Sequence, residues 1–107
     1  MKKTIFSRSF QVPGFATAGI CCGINTNKKK DLALIVSQEP SIAAGVFTSN
    51  KVVSPTVIWC RKILKSSKVF RALLINSGNA NACTGPRGMS DCESLAYELS
   101  QELSISS

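Results

Sequence analysis

Val69-Phe70-Arg71-Ala72-Leu73-Leu74-Ile75 runs without a break into Asn76-Ser77-Gly78-Asn79-Ala80-Asn81-Ala82-Cys83-Thr84-Gly85. The first seven residues are apolar but for Arg71, have the length of a strand and end at a Gly/Asn cluster, so they read as the strongest strand of the chain. The ten that follow are rich in glycine, which admits unusual backbone angles, and in asparagine, whose side chains bond backbone or ligand. A helix comes next. Ser90-Asp91-Cys92-Glu93 has the capping-box pattern, and Cys92, Leu95, Ala96, Leu99 and Leu103 recur at three- and four-residue spacing opposite Glu93, Tyr97, Glu98 and Gln101. Acidic residues in that first turn also suit the helix dipole. Strand, loop and helix in this order place the chain in the α/β class, where such loops build sites because their N–H groups can be aimed at an anion or oxyanion.

Upstream, the pattern predicts further strands. Residues 1–14 are basic and polar and end in the turn Val12-Pro13-Gly14. Phe15 to Ile24 is too glycine-rich for a helix and reads as a strand packed closely on another layer. Cys21 and Cys22 then fall on its opposite faces. Asn25 to Asp31 is a hairpin loop, and Leu32-Ala33-Leu34-Ile35-Val36-Ser37 is a buried strand that Gln38-Glu39-Pro40 breaks. Ala43 to Thr48 reads as a third extended segment, closing at Ser49-Asn50. Pro55 makes Val52 to Val57 an edge or irregular strand, and Ile58 to Leu64 suits a short helix in which Trp59 is a core or subunit anchor.

At 107 residues there is room for one domain, and a hydrophobic fraction of 44% against 18% charged residues argues against a disordered tail. At this size only about two-thirds of the unfolded surface is buried, so a chain cut from something larger is marginal alone. The formal charge is +7, with all thirteen basic residues and only Asp31 and Glu39 ahead of position 91, while Asp91, Glu93, Glu98 and Glu102 make the end acidic. With one Tyr and one Trp there are few platforms for stacking bases, so the basic runs read as a solvated face and no nucleic-acid partner is expected.

Five cysteines without a C-x-x-C pair, in a chain with no histidine, argue against a metal site. No stretch has the length of a membrane span and the N-terminus lacks the apolar core of a secretory signal, so a cytoplasmic protein with free thiols and no membrane partner is expected. Cys83 beside Thr84 suggests a nucleophile, but no histidine is present to activate it, and a structural cysteine is the simpler reading. Two readings of the Asn76–Gly85 loop stay open. Either its asparagines satisfy turn backbone through Asx-type bonds, or the loop supports a site.

Residues 76–85 resemble the signature segment of the ornithine acetyltransferase family, the glutamate N-acetyltransferases of arginine biosynthesis. Gly14-Phe15-Ala16-Thr17-Ala18-Gly19-Ile20 is similar to that family's first strand, Asp31-Leu32-Ala33-Leu34-Ile35-Val36-Ser37 to its second, and Ala43-Ala44-Gly45-Val46-Phe47-Thr48-Ser49-Asn50 to its third. Four co-linear blocks cover about residues 13–105. The resemblance implies a layered αββα-type sandwich, of which residues 1–107 are the N-terminal portion of the first (alpha) subunit. It implies a precursor of about four times this length that cleaves itself before a threonine, the nucleophile of a second (beta) subunit. That threonine takes acetyl from N-acetylornithine and passes it to glutamate, with the freed amine as base, so no histidine is required. A heterotetramer is implied, no cofactor, and acetyl-CoA remains open as a co-substrate. The family's oxyanion-hole Ser-Thr-Gly segment and its nucleophile fall beyond Leu103, so no catalytic residue is carried onto this sequence. Asn76, Asn79, Asn81, Thr84 and Gly85 are expected to support the active site from behind, and the 107 residues alone are expected to be inactive. The rival expectations are a small anion- or nucleotide-binding module and a truncated interaction remnant.

Overall fold

A computed structural model describes residues 12–105 of the chain. It comprises two compact units. Among the described residues, one holds 12–42 together with Val69–Asn79, and the other holds Ala43–Lys68 together with 80–105. The fold is mixed α/β, a three-stranded antiparallel sheet and two helices.

The sheet unit is built from β1 (Phe15–Ile20), β2 (Leu32–Ser41) and β3 (Phe70–Asn76), in the order β1-β2-β3. The turn ahead of β1 uses Gly14 at φ 86°, a conformation open to glycine. β1 pairs with β2 from Phe15↔Ser37 to Ile20↔Leu32, and β2 with β3 from Leu32↔Asn76 to Val36↔Ala72. Side chains alternate across a sheet, so Ala18, Leu34 and Leu74 share one face with Ile20 and Val36. Thr17, Ile35 and Leu73 share the other with Phe15 and Ile75.

β1 stops at Ile20, four residues earlier than its composition suggests, because the backbone N–H of Cys22 turns away to a carboxylate at Asp31. Cys21 and Cys22 therefore lie in the connecting loop and not on opposite faces of a strand. β2 runs longer than expected. Gln38-Glu39-Pro40 does not break it; the register shifts between Val36 and Ser41, and Pro40, which has no N–H to offer a ladder, sits in that bulge. Arg71 closes the irregularity from β3, its Nε donating to Ser37 O at 3.1 Å and its Nη2 to Gln38 O at 3.1 Å. Nor is β2 a buried strand: Leu32 to Val36 are half-buried and only Ser37 is covered.

The second unit is helical. The expected strand at Ala43–Thr48 is absent; the segment is irregular and lies on α1 (Pro55–Ser66). A Cβ at Gly45 would stand 3.1 Å from Leu64, and the Arg61 guanidinium lies 5.4 Å over the Phe47 ring while donating to Thr48 O. The rest of the segment is exposed, Val46 at 98%, so it touches the helix only at these points. Pro55 opens α1 instead of marking a strand edge, since the first helical position needs no N–H. Ser54 caps the helix by accepting from Val57 N at 3.4 Å.

α2 spans Gly85–Leu103 and starts five residues before the expected capping box. Ser90 is thus inside the helix and caps nothing. Pro86 lies in the first turn, and Ser104, left-handed at φ 53°, closes the C-terminus with its N–H on Gln101 O at 3.2 Å. Of the anticipated apolar stripe, Cys92, Ala96, Leu99 and Leu103 are half-buried, whereas Leu95 is exposed. Ser100 is 3% exposed and satisfies its hydroxyl on Tyr97 O at 2.7 Å. No helix among the described residues is long and apolar enough to cross a membrane.

Candidate functional site

The Asn76–Gly85 loop begins in the sheet unit and ends in the helical one, and each half has its own anchors. In the sheet unit the anchor is Asp31, 2% exposed. Its Oδ1 accepts from Cys22 N at 2.7 Å and its Oδ2 from Asn25 N at 2.9 Å, while its backbone joins β1 to the end of β3 through Asp31 N to Ile20 O and Ser77 N to Asp31 O, both 2.9 Å. The two backbone N–H donors, that of Cys22 first, lower the carboxyl to about 2, against an ordinary value of 3.8. The same carboxylate holds the Cys22 thiol above its usual range, with burial adding to the effect.

Asn25, ordered by Asp31, reaches across with Nδ2 to Ser77 O at 3.4 Å. It packs so closely against Gly78, at φ 96°, that a Cβ there would stand 2.4 Å from Asn25 Oδ1. Asn76 donates from Nδ2 to Asn79 O at 2.7 Å and closes a turn within the loop. A shallow cavity of about 230 Å³ beside these residues is lined by Gly19, Lys30, Asp31, Ile75 and Asn76 among others.

In the helical unit Asn81 is the organiser. It is half-buried at φ 45°, and its Nδ2 donates to Gly88 O at 3.1 Å and to Cys92 Sγ at 3.3 Å. Thr84 donates from Oγ1 to Asn81 Oδ1 at 2.7 Å. An amide oxygen is too weak a base to activate a hydroxyl, so this contact orients Thr84 without making it a nucleophile. Cys83 and Gly85 are both left-handed, at φ 57° and 59°. Cys83 is exposed and borders a cavity of about 310 Å³ that Val53, Pro55, Ile58 and Met89 also line. Deeper in the unit, burial pushes the Cys60 thiol up, and the nearby Cys92 adds to the effect. All five cysteines are free.

The structure therefore brings Asn76 together with Asn79, and Asn81 together with Thr84, as loop-internal pairs. Sequence reasoning missed Asp31, Asn25 and Gly88. The available signals were an acid placed at the foot of a strand behind a polar loop, and a glycine inside a helical run. A cluster of three metal-ligating side chains is not found among the described residues.

Fold and loop together define a mixed α/β protein in which a Gly/Asn turn leads from a sheet strand into a long helix. A profile of the ArgJ family matches residues 16–107, and the chain belongs to that family, the bifunctional arginine-biosynthesis proteins and ornithine acetyltransferases. It is 45% identical over 93 residues to the arginine biosynthesis bifunctional protein ArgJ of Streptomyces avermitilis, covering 86% of this chain and 24% of that protein. Against the ArgJ of Prochlorococcus marinus it is 48% identical over 93 residues, covering 86% and 23%. The ornithine acetyltransferase of Mycobacterium tuberculosis, solved in complex with ornithine, superposes with a TM-score of 0.74 at 44% identity over 78% of this chain and 44% of that one. The ArgJ of Bacillus halodurans gives a TM-score of 0.83 at 34% identity, over 88% and 49%. The chain thus spans about a quarter of the length of the curated relatives it matches.

Proposed function

We propose that this chain is the N-terminal part of the alpha subunit of a cytoplasmic glutamate N-acetyltransferase, which moves acetyl from N-acetylornithine to glutamate. The observation that carries the reading is the family match across residues 16–107, at 45–48% identity to relatives that are themselves bifunctional arginine-biosynthesis proteins. In the whole enzyme a threonine at the start of a beta subunit attacks the acetyl carbonyl, ornithine leaves, and glutamate takes the acetyl from the threonine ester. The threonine's own amine serves as base, consistent with a chain that contains no histidine. Two such subunit pairs make a heterotetramer, and the sheet described above forms part of an αββα sandwich.

On this reading the chain supplies scaffold, and the Asn76–Gly85 loop supports the active site from behind through Asn76, Asn79, Asn81, Thr84 and Gly85. The rival reading, an anion-binding module, is less well supported, because Asn81 and Thr84 spend hydrogen bonds on each other and on α2. The test is an acetyl-transfer assay with N-acetylornithine and glutamate on the 107 residues alone and on the same residues joined to the remainder of a relative's enzyme. The joined protein should turn over and the short chain should match the blank. Turnover by the short chain, or none by the joined protein whose relative is active, would contradict the reading.

A further inference from the structure

Thr84 occupies the position before α2 where threonine ordinarily caps a helix, yet it makes no cap. Its backbone is α-like, at φ −101° and ψ −5°, and its hydroxyl turns back to Asn81, donating to Oδ1 at 2.7 Å and approaching the carbonyl oxygen at 3.3 Å. A residue suited to capping is therefore spent on holding a loop. Asn81 completes the hold by donating to Gly88 O, one turn into the helix, and to Cys92 Sγ one turn further on. Gly88 is buried, and a Cβ there would fall 1.8 Å from Thr84 Oγ1 and 2.8 Å from Asn81 Oδ1. Only a glycine lets the two side chains lie against the helix.

What this cluster fixes is the backbone between its members. Asn81, Cys83 and Gly85 are all left-handed, a conformation that glycine and asparagine adopt readily and that the Cβ of Cys83 disfavours. Such a turn persists only where its surroundings over-determine it. Local rules are broken three times in eight residues, by an unused cap, a glycine at the end of the helix's first turn and a left-handed cysteine. Breaks of this kind concentrate where geometry serves function.

We propose that Asn81, Thr84 and Gly88 are positioning residues for acetyl transfer, acting by fixing the Ala82–Gly85 backbone. The assignment rests on the acetyltransferase reading above. None of the three is a catalytic residue; each acts through the turn it holds. Thr84→Val keeps the size and removes the donor, Thr84→Ser keeps the donor, and Gly88→Ala forces the cluster apart.

The experiment measures steady-state transfer from N-acetylornithine to glutamate in the full-length enzyme, with amide hydrogen exchange of residues 82–85 in the same samples. Thr84→Val should lower kcat by about ten- to a hundredfold, as expected of small misplacements, while KM changes little. Its loop amides should exchange faster, and Thr84→Ser should restore both readouts. Gly88→Ala should behave like Thr84→Val, and if it fails to fold the threonine pair decides. A Thr84→Val enzyme with unaltered kcat, a loss confined to KM, or a Thr84→Ser variant as impaired as the valine would overturn the assignment. A wild-type enzyme without acetyl transfer would instead refute the acetyltransferase reading, an outcome the wild-type control separates from the others.

Discussion

Asp31 ties together parts of the sheet unit that lie apart in sequence. Its carboxylate collects the N–H groups of Cys22 and Asn25, and its backbone ties β1 to the end of β3. Because the folded-state value, about 2, lies below the ordinary 3.8, the ionised form is the one that favours folding. Its contribution is fully present above about pH 4 and is lost as pH falls from there toward about 2. Denaturant titrations of the full-length enzyme across that range should show the gap between wild type and Asp31→Asn closing as pH drops; a gap independent of pH would show that the charge is not what matters. Gly78 is the second residue-scale test. Alanine there meets both a positive φ and Asn25 Oδ1 at 2.4 Å, so Gly78→Ala should cost roughly 1–3 kcal/mol in the same titrations. An unchanged midpoint would mean that the loop simply moves aside.

The two helices separate what the sequence reveals from what it hides. Ser54 makes the cap that α1 uses, whereas Ser90 has the right neighbours for a cap and sits a turn inside α2. Ser54→Ala should therefore cost about 1 kcal/mol of stability, and Ser90→Ala less than about 0.5 kcal/mol. The reverse ranking would restore the capping-box assignment. β3, the loop after it and the turn at Gly14 were legible because each rests on a local signal: a continuous apolar run, a Gly/Asn cluster, a Pro-Gly pair. The middle of the chain was not. Ala43–Thr48 has strand composition but finds α1 instead of a strand, through Phe47, Leu64 and Arg61. Pro40 looked like a terminator because Arg71, thirty-one residues on, supplies the bonds that let β2 continue as a bulge. The candidate site divides in the same way. Asn76, Asn81 and Thr84 lie in the loop that its Gly/Asn composition and the family resemblance both picked out; of the partners that orient it, Asp31 heads a block read only as a strand, and Asn25 and Gly88 lie in segments with no motif of their own.

Across the whole chain, the buried residues among those described are Asp31, Ser37, Pro55, Gly88 and Ser100, and no Val, Leu, Ile, Phe, Met or Trp is among them. The sheet is apolar on both faces, and on the face carrying Phe15, Leu73 and Ile75 these three side chains are 42–54% exposed. Such surface calls for covering layers. The 107 residues alone should bind a hydrophobic dye and unfold over a broad denaturant range; a steep transition without dye binding would mean that the chain is self-sufficient. This follows from the same claim as the function, that a larger enzyme completes these elements. The direct test is the intact mass, under denaturing conditions, of the gene's product purified from its own cell, with any chain that stays bound. A longer chain accompanied by a second beginning at threonine, in a fraction that transfers acetyl from N-acetylornithine to glutamate, is the predicted result. A lone species of 11.4 kDa with no companion would contradict it.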